Sequence, residues 1–293
     1  MKIVTLTLSP ALDIEYRLEK FTPGGLNRTD SHAVTAGGKG INVSRSILRC
    51  AEKDGGRGRF DLKTVAPVGG ETGEMLRRIL LKEGIDLTAV PIGESTRVNV
   101  SVIPESGHSV EINAPGTPVG DALERIERAV LDGIGEGDCV VIAGSCPKDV
   151  PKSCPSELVA KVKATGAAAV LDCDGEALRI AVNAPVKPDV IKPNNEELAA
   201  LTGCSPDDPR ELARAAEGLG IPTVITTRAG ENPLLTDERG TISFAQEKRP
   251  VVRLKGAGDT FLGAFVYARY VWGDDDMAME FASIVAGDYV AGK

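Results

Sequence analysis

An α/β fold, built as a doubly wound, mostly parallel sheet with helices on both faces and a small β-sheet lid, is predicted by three features of the 293-residue sequence. Short apolar runs that suit buried strands alternate with longer stretches of helical period, the pattern of a parallel sheet wrapped by helices. Two segments, about 12–35 and 96–114, break that alternation, and Arg97-Val98-Asn99-Val100-Ser101-Val102-Ile103 alternates polar with apolar as a half-buried strand does. The 42% hydrophobic content suffices for one large core, so 1–293 is read as a single domain.

Taken in order, Lys2 to Leu8 reads as a strand, followed by the first irregular β segment and a helix from Gly40 to Glu52. Helical patterns recur at Glu71–Glu83, Gly120–Leu131, Pro155–Thr165, Asn194–Thr202, Pro209–Leu219, Ala257–Tyr270 and Asp275–Val290. Strands are expected at Asp138–Ala143, Ala167–Asp172 and Thr223–Thr227, and a hairpin joins Leu234–Thr236 to Thr241–Ala245 through a turn at Asp237 to Gly240. The two irregular β segments are expected to project over the cleft as the lid. Its exposed face is a candidate homodimer surface. Gly55-Gly56-Arg57-Gly58-Arg59 is the loop with enough glycine to be flexible.

Composition excludes several classes. With 34 basic against 42 acidic residues the net charge is −8, which disfavours a nucleic-acid partner. No apolar run reaches membrane-spanning length and the start lacks the regions of a signal peptide, so a cytoplasmic enzyme is expected. Six scattered cysteines without a C-x-x-C pair, beside two histidines, offer no zinc set and read as buried thiols.

Chemistry concentrates in a few places. Gly256-Ala257-Gly258-Asp259 stands directly before a helix, whose free N–H groups and partial positive charge receive anions. A carboxylate there suits removal of a hydroxyl proton during phosphoryl transfer, although the same tetrapeptide also reads as a turn and helix cap. Gly37-Gly38-Lys39-Gly40-Ile41-Asn42 again puts glycines before a helix, now with a cation. It lacks P-loop spacing, and no strand is expected to end immediately before it in the manner a P-loop requires. Either a structural glycine turn or recognition of sugar hydroxyls and a phosphate fits. Asn194 and Glu197, three apart at a helix start, fit a capping box or a polar site on one face. Taken by themselves, Asp13 reads as a turn residue after Pro10 and Arg97 as an exposed strand residue.

These motifs resemble, in collinear order over nearly the whole chain, the ribokinase/PfkB sugar kinases, particularly the phosphofructokinase and tagatose-6-phosphate kinase branch. The matching stretches are Ser9-Pro10-Ala11-Leu12-Asp13, Asn27-Arg28, Gly37 to Val43, Val68 to Gly73, Arg97 to Val100, Ala143 to Pro147, Lys192 to Leu198 and Gly256 to Thr260. The resemblance implies a ribokinase-like core with a β lid, and transfer of the γ-phosphoryl group of ATP, with Mg²⁺, to a sugar or sugar phosphate. It implies Asp259 as catalytic base, with the Gly256-Ala257-Gly258 turn and the amides of Ala257, Gly258 and Asp259 as anion hole. Asp13, Gly37, Gly38 and Asn42 match sugar contacts, Lys39 and Arg97 the charges on the phosphosugar's phosphate, and Ser145 a hydroxyl beside substrate or phosphate. On the nucleotide side it implies Lys192, Asn194, Thr227, Gly230 and Gly258, and for magnesium Glu197 and Asn194, mostly through water.

Departures bear on the donor. Thr227-Arg228-Ala229-Gly230-Glu231-Asn232 stands where members read Ser-x-Gly-x-x-Gly, Leu254-Lys255 replaces the commoner small polar and apolar pair, and Ser9 replaces Asn. The altered loop motivates a second reading, a sensor that binds nucleotide or sugar phosphate, and a third is a kinase for an unphosphorylated sugar or a nucleoside. Lys39, Arg97 and Arg28 are more cations than a neutral sugar needs, which favours a ketohexose phosphate: fructose 1-phosphate, fructose 6-phosphate or tagatose 6-phosphate.

Overall fold

A computed structural model describes residues 1–29, 31–56, 58–106 and 108–293. Among them, nine strands form the main sheet in the order β13 (Gly240–Ser243), β12 (Leu234–Asp237), β11 (Thr223–Thr226), β10 (Val190–Ile191), β9 (Ala168–Asp172), β8 (Cys139–Ala143), β1 (Lys2–Thr7), β4 (Asp61–Val68) and β5 (Leu87–Pro91). Pairing is parallel from β11 to β5, and the β12–β13 hairpin adds an antiparallel edge. All five residues of β8 are buried, as befits a strand covered on both faces. From β1 the chain winds outward through β4 to β5, then returns to β8 and proceeds the other way. The reversal point therefore lies between β1 and β8.

Successive strand residues feed opposite cores. Ile3, Val141 and Val170 pack under α1 (Lys39–Lys53), α8 (Ala257–Trp272) and α9 (Asp275–Val290). Val4, Val140, Ile142 and Leu171 pack on the other face against α3 (Leu123–Leu131), α4 (Cys154–Ala164), α5 (Gly175–Asn183), α6 (Asn195–Thr202) and α7 (Pro209–Gly218). A third cluster joins α2 (Gly70–Lys82) through Leu76 and Leu80 to Leu12 and Ile41. Five cysteines are buried, Cys204 is half-buried, and all six are free thiols. Among the described residues, no helix is long and apolar enough to cross a membrane.

A second, four-stranded sheet runs β3 (Ser31–Gly37), β2 (Ala11–Lys20), β6 (Arg97–Ser106) and β7 (Val110–Asn113), with β2 and β6 parallel. Strand β3 ends directly before the Gly38-Lys39 turn, but not in the manner a P-loop requires. It belongs to this small sheet, so the geometry still differs from a P-loop, where the strand comes from the parallel core. Four elements were not anticipated. Strand β10 has two residues between prolines, β5 ends in Pro91 at the sheet edge, β4 carries Pro67 beyond its pairing with β1, and α5 starts at a glycine. Length and breaker residues hid them. The expected flexible glycine loop includes Arg57, which lies outside the described residues.

Helices α1 and α8 touch at Gly263, where a Cβ would stand 2.5 Å from Ser46 Cβ and 2.7 Å from the Val43 carbonyl oxygen. Ser46 Oγ also donates to the Thr260 carbonyl at 2.7 Å. Gly263→Val is therefore expected to cost about 1–3 kcal/mol through forced separation of two packed helices, read as a lower urea midpoint at unchanged slope. An unchanged midpoint would show that the crossing tolerates a side chain.

Candidate active site

Candidate residues gather at the carboxyl ends of the parallel strands. Gly144 and Ser145 follow β8, Asp172 ends β9, Lys192 follows β10 and Thr227 follows β11, while Asp13 lies in β2 of the small sheet, which the chain enters after β1. Ligands of open α/β sheets bind at this edge, beside the reversal of strand order.

Helix α8 begins at Gly256, whose φ of 84° suits glycine alone; a Cβ there would also press on the Tyr289 hydroxyl at 2.9 Å. Asp259 lies in the first turn, 8% exposed. Its Oδ2 accepts a 2.8 Å hydrogen bond from Asn42 Nδ2, while Arg45 donates to Asn42 Oδ1 at 2.7 Å. Arg45 is itself braced by the Ala36 carbonyl and Glu83, both at 2.9 Å. Asn42 is thereby oriented with its amide donors toward the carboxylate. Burial, then the Asp172 charge, pushes the Asp259 carboxyl above the usual carboxylate range, and Asn42, Lys192 and Lys39 oppose that rise. The Ala257 N–H, expected in the anion hole, instead donates to the Leu254 carbonyl at 3.1 Å because the preceding chain turns tightly.

Asp172 is 1% exposed and stands between two lysines: Lys39 Nζ lies 3.3 Å from Oδ1 and Lys192 Nζ 3.3 Å from Oδ2. Its Oδ2 accepts no hydrogen bond, so the second lysine is held by charge. Burial works against the charge on Lys39, yet Asp172, Glu197 and Asp259 outweigh it and raise its affinity for a proton. Lys192 is 6% exposed, and a Cβ on Gly258 would stand 3.5 Å from its ammonium. Both cations thus flank the start of α8. Sequence reasoning missed Asp172, Arg45 and Asn99. An acid that closes the apolar run Ala168 to Leu171 was the signal for the first.

On the small sheet, Asp13 Oδ1 accepts from Asn99 Nδ2 at 2.9 Å, and a Cβ on Gly37 would meet Asp13 Oδ2 at 2.3 Å, so Gly37 makes room for that carboxylate. Gly38, with φ at 131°, likewise faces Thr7 Cγ2 at 2.5 Å. Arg97 commits its guanidinium to main-chain carbonyls, donating to Ser9 at 3.0 Å, Pro10 at 3.4 Å and Ala114 at 2.8 Å. Burial lowers its proton affinity, and the nearby Asp13 partly restores it. Ser145 is exposed, and its neighbour Gly144 would bring a Cβ to 3.7 Å from Lys39 Cβ.

Asn194 and Glu197 form a reciprocal capping box at α6, with both bonds at 2.8 Å. Thr227 is tied beside them: its N–H donates to the Pro193 carbonyl at 3.1 Å and its carbonyl accepts from Asn195 N–H at 2.9 Å. Gly230 occupies an exposed turn at φ 72° with open space around it.

An anion-receiving helix start with a buried acid and two flanking lysines suits phosphoryl transfer. The sequence pattern described as pfkB family carbohydrate kinase matches residues 7–290. The chain belongs to this family. This pfkB kinase is 33% identical over 267 residues to a 1-phosphofructokinase of Bacillus subtilis, covering 90% of this chain and 84% of that protein. The crystal structure of phosphofructokinase-2 from Escherichia coli in complex with fructose-6-phosphate superimposes with a TM-score of 0.88 at 27% identity, covering 99% of this chain and 93% of the other. An Arabidopsis thaliana ribokinase complexed with ribose and ATP, at 23% identity, covers 99% of this chain and 92% of its own with a TM-score of 0.74, and shares the ribokinase-like fold.

Proposed function

We propose that this pfkB kinase transfers the γ-phosphoryl group of ATP to a hydroxyl of a ketohexose phosphate, with Asp259 as the general base. The observation that carries this reading is the position of Asp259, oriented by Asn42 in the first turn of α8 and faced by Lys39 and Lys192, which Asp172 holds in place. A fructose phosphate is favoured over tagatose 6-phosphate by the relatives' names, a 1-phosphofructokinase and an enzyme bound to fructose-6-phosphate.

Asp13, steadied by Asn99, orients the sugar hydroxyls, and Gly37 and Gly38 let the chain approach the sugar. Arg97 shapes this subsite by holding the Ser9 and Pro10 carbonyls and adds positive charge beside Asp13 for the sugar's own phosphate. Asp259 takes the acceptor proton as the oxygen attacks phosphorus, the γ-phosphoryl group passes in line, and ADP leaves. Lys39 and Lys192 face the charge that moves, together with the amides of Gly258 and Asp259 at the helix start. Thr227, Gly230 and Ser145 border the nucleotide and the transferred group. Glu197 and Asn194 supply hard oxygen donors, and Glu197 is near enough to Lys39 to raise it, so these two would hold Mg²⁺ mostly through water. When bound, the ion neutralises phosphate oxygens.

The small sheet acts as the lid of one domain, its polar face over the crevice. Ile14, Val100 and Ile112 lie on its opposite face, which serves as a homodimer surface. An ADP-coupled assay across fructose 1-phosphate, fructose 6-phosphate, tagatose 6-phosphate, fructose and adenosine tests the reading. A phosphorylated ketohexose should give the highest kcat/KM. Equal use of free fructose would replace the substrate class, and thermal stabilisation by ATP and sugar phosphate without turnover would establish the sensor reading.

A further inference from the structure

We propose that Lys255 is a positioning residue that ties Asp13 on the small sheet to the helix carrying Asp259, and thereby sets the affinity for the sugar acceptor. The inference rests on the reading of Asp13 as the sugar-binding acid and of the small sheet as a lid. Lys255 immediately precedes the cap of α8. Its carbonyl accepts the Tyr289 hydroxyl at 2.7 Å, which pins its main chain to α9. From that anchored point the side chain leaves the core and crosses to the small sheet, where Nζ lies 3.7 Å from Asp13 Oδ2 and 3.5 Å from Glu111 Oε2.

Strand register places both carboxylates on one face of the sheet. Asp13 is level with Asn99, and Glu111 is level with Ser101, two residues further along β6. Each acid is also held from its own sheet, Asp13 by Asn99 at 2.9 Å and Glu111 by Ser101 Oγ at 2.9 Å. Lys255 supplies a positive charge between these two acids and joins them to the loop that opens onto the base. Beside the pairing of β2 with β3, this side chain adds a second link that places a sugar bound to Asp13 relative to Asp259.

The Lys255 side chain is 56% exposed, so each ion pair by itself is weak and the effect is several-fold rather than orders of magnitude. Losing the tie lowers the population with the sheet seated on the core, and apparent affinity falls by the same factor. Chemistry in the closed complex is untouched.

Steady-state kinetics of Lys255→Met, Lys255→Arg, Glu111→Gln and the double variant Lys255→Met/Glu111→Gln test this with both substrates varied. Lys255→Met should raise the sugar-phosphate KM about fivefold while kcat and the ATP KM stay within about twofold. Lys255→Arg should recover most of the loss, Glu111→Gln should raise the same KM more weakly, and the double variant should be no worse than Lys255→Met alone. An unchanged sugar KM in Lys255→Met, or equal rises for both substrates, would overturn the assignment. Should Lys255→Met fail to fold, an unchanged sugar KM in Glu111→Gln would overturn it equally. A wild-type protein that phosphorylates no sugar would instead overturn the functional reading, and this inference with it.

Discussion

Asp259→Asn is expected to lower kcat by about 10²- to 10⁴-fold, the usual contribution of a positioned general base. The amide keeps the volume and can still accept the Asn42 hydrogen bond, so folding and the crevice should survive. A second consequence is opposite in sign. Because burial and Asp172 raise the Asp259 carboxyl in the folded state, folding favours its protonated form, and stability is lost as pH rises from the unfolded value through the raised one. Asn carries no such cost. At pH 8 the variant should therefore melt above wild type, and the gap should close below the ordinary aspartate value of about 3.9. Thermal melts across pH measure this; near-normal turnover, or a variant melting below wild type at pH 8, would contradict the assignment.

Asp172→Ala is expected to be the most damaging single change to stability, at about 3 kcal/mol, the lower end for breaking a buried ion pair because Lys39 is partly exposed. Lys192, at 6% exposure, loses its carboxylate and stays buried as an uncompensated cation. Urea unfolding reads the loss. The same variant should gain more stability from saturating triphosphate than wild type gains, since the ligand supplies the anion that the lysines lack. Equal midpoints with and without Asp172 would show that the lysines do not depend on it.

Much of the fold was legible because the buried strands carry the apolar runs that two-sided coverage demands, and because α1, α8 and α9 are long and strongly marked at their starts. The elements that escaped are those whose identity comes from neighbours: β10 has too few residues to show a period, and β5 is held in register by β4. In the site, Gly256 to Asp259 and Gly37 to Asn42 announced themselves because glycine is required where the backbone turns left-handed or approaches closely. Their partners did not. Asp172 reaches Lys39 across 133 positions, and Asn42 reaches Asp259 across 217, distances in the chain that no local pattern records. Arg97 illustrates the converse. Its presence was visible, but its bonds to the Ser9, Pro10 and Ala114 carbonyls depend on how two strands and a loop meet.

The central claim is that Asp259 acts on the acceptor's proton and not on binding. Calorimetric titration of the phosphorylated ketohexose preferred in the assay into wild type and Asp259→Asn tests it most directly. Dissociation constants within about threefold of each other, alongside the loss of turnover, are the predicted result. A loss of affinity that matches the loss of turnover would make Asp259 a binding residue and contradict the mechanism.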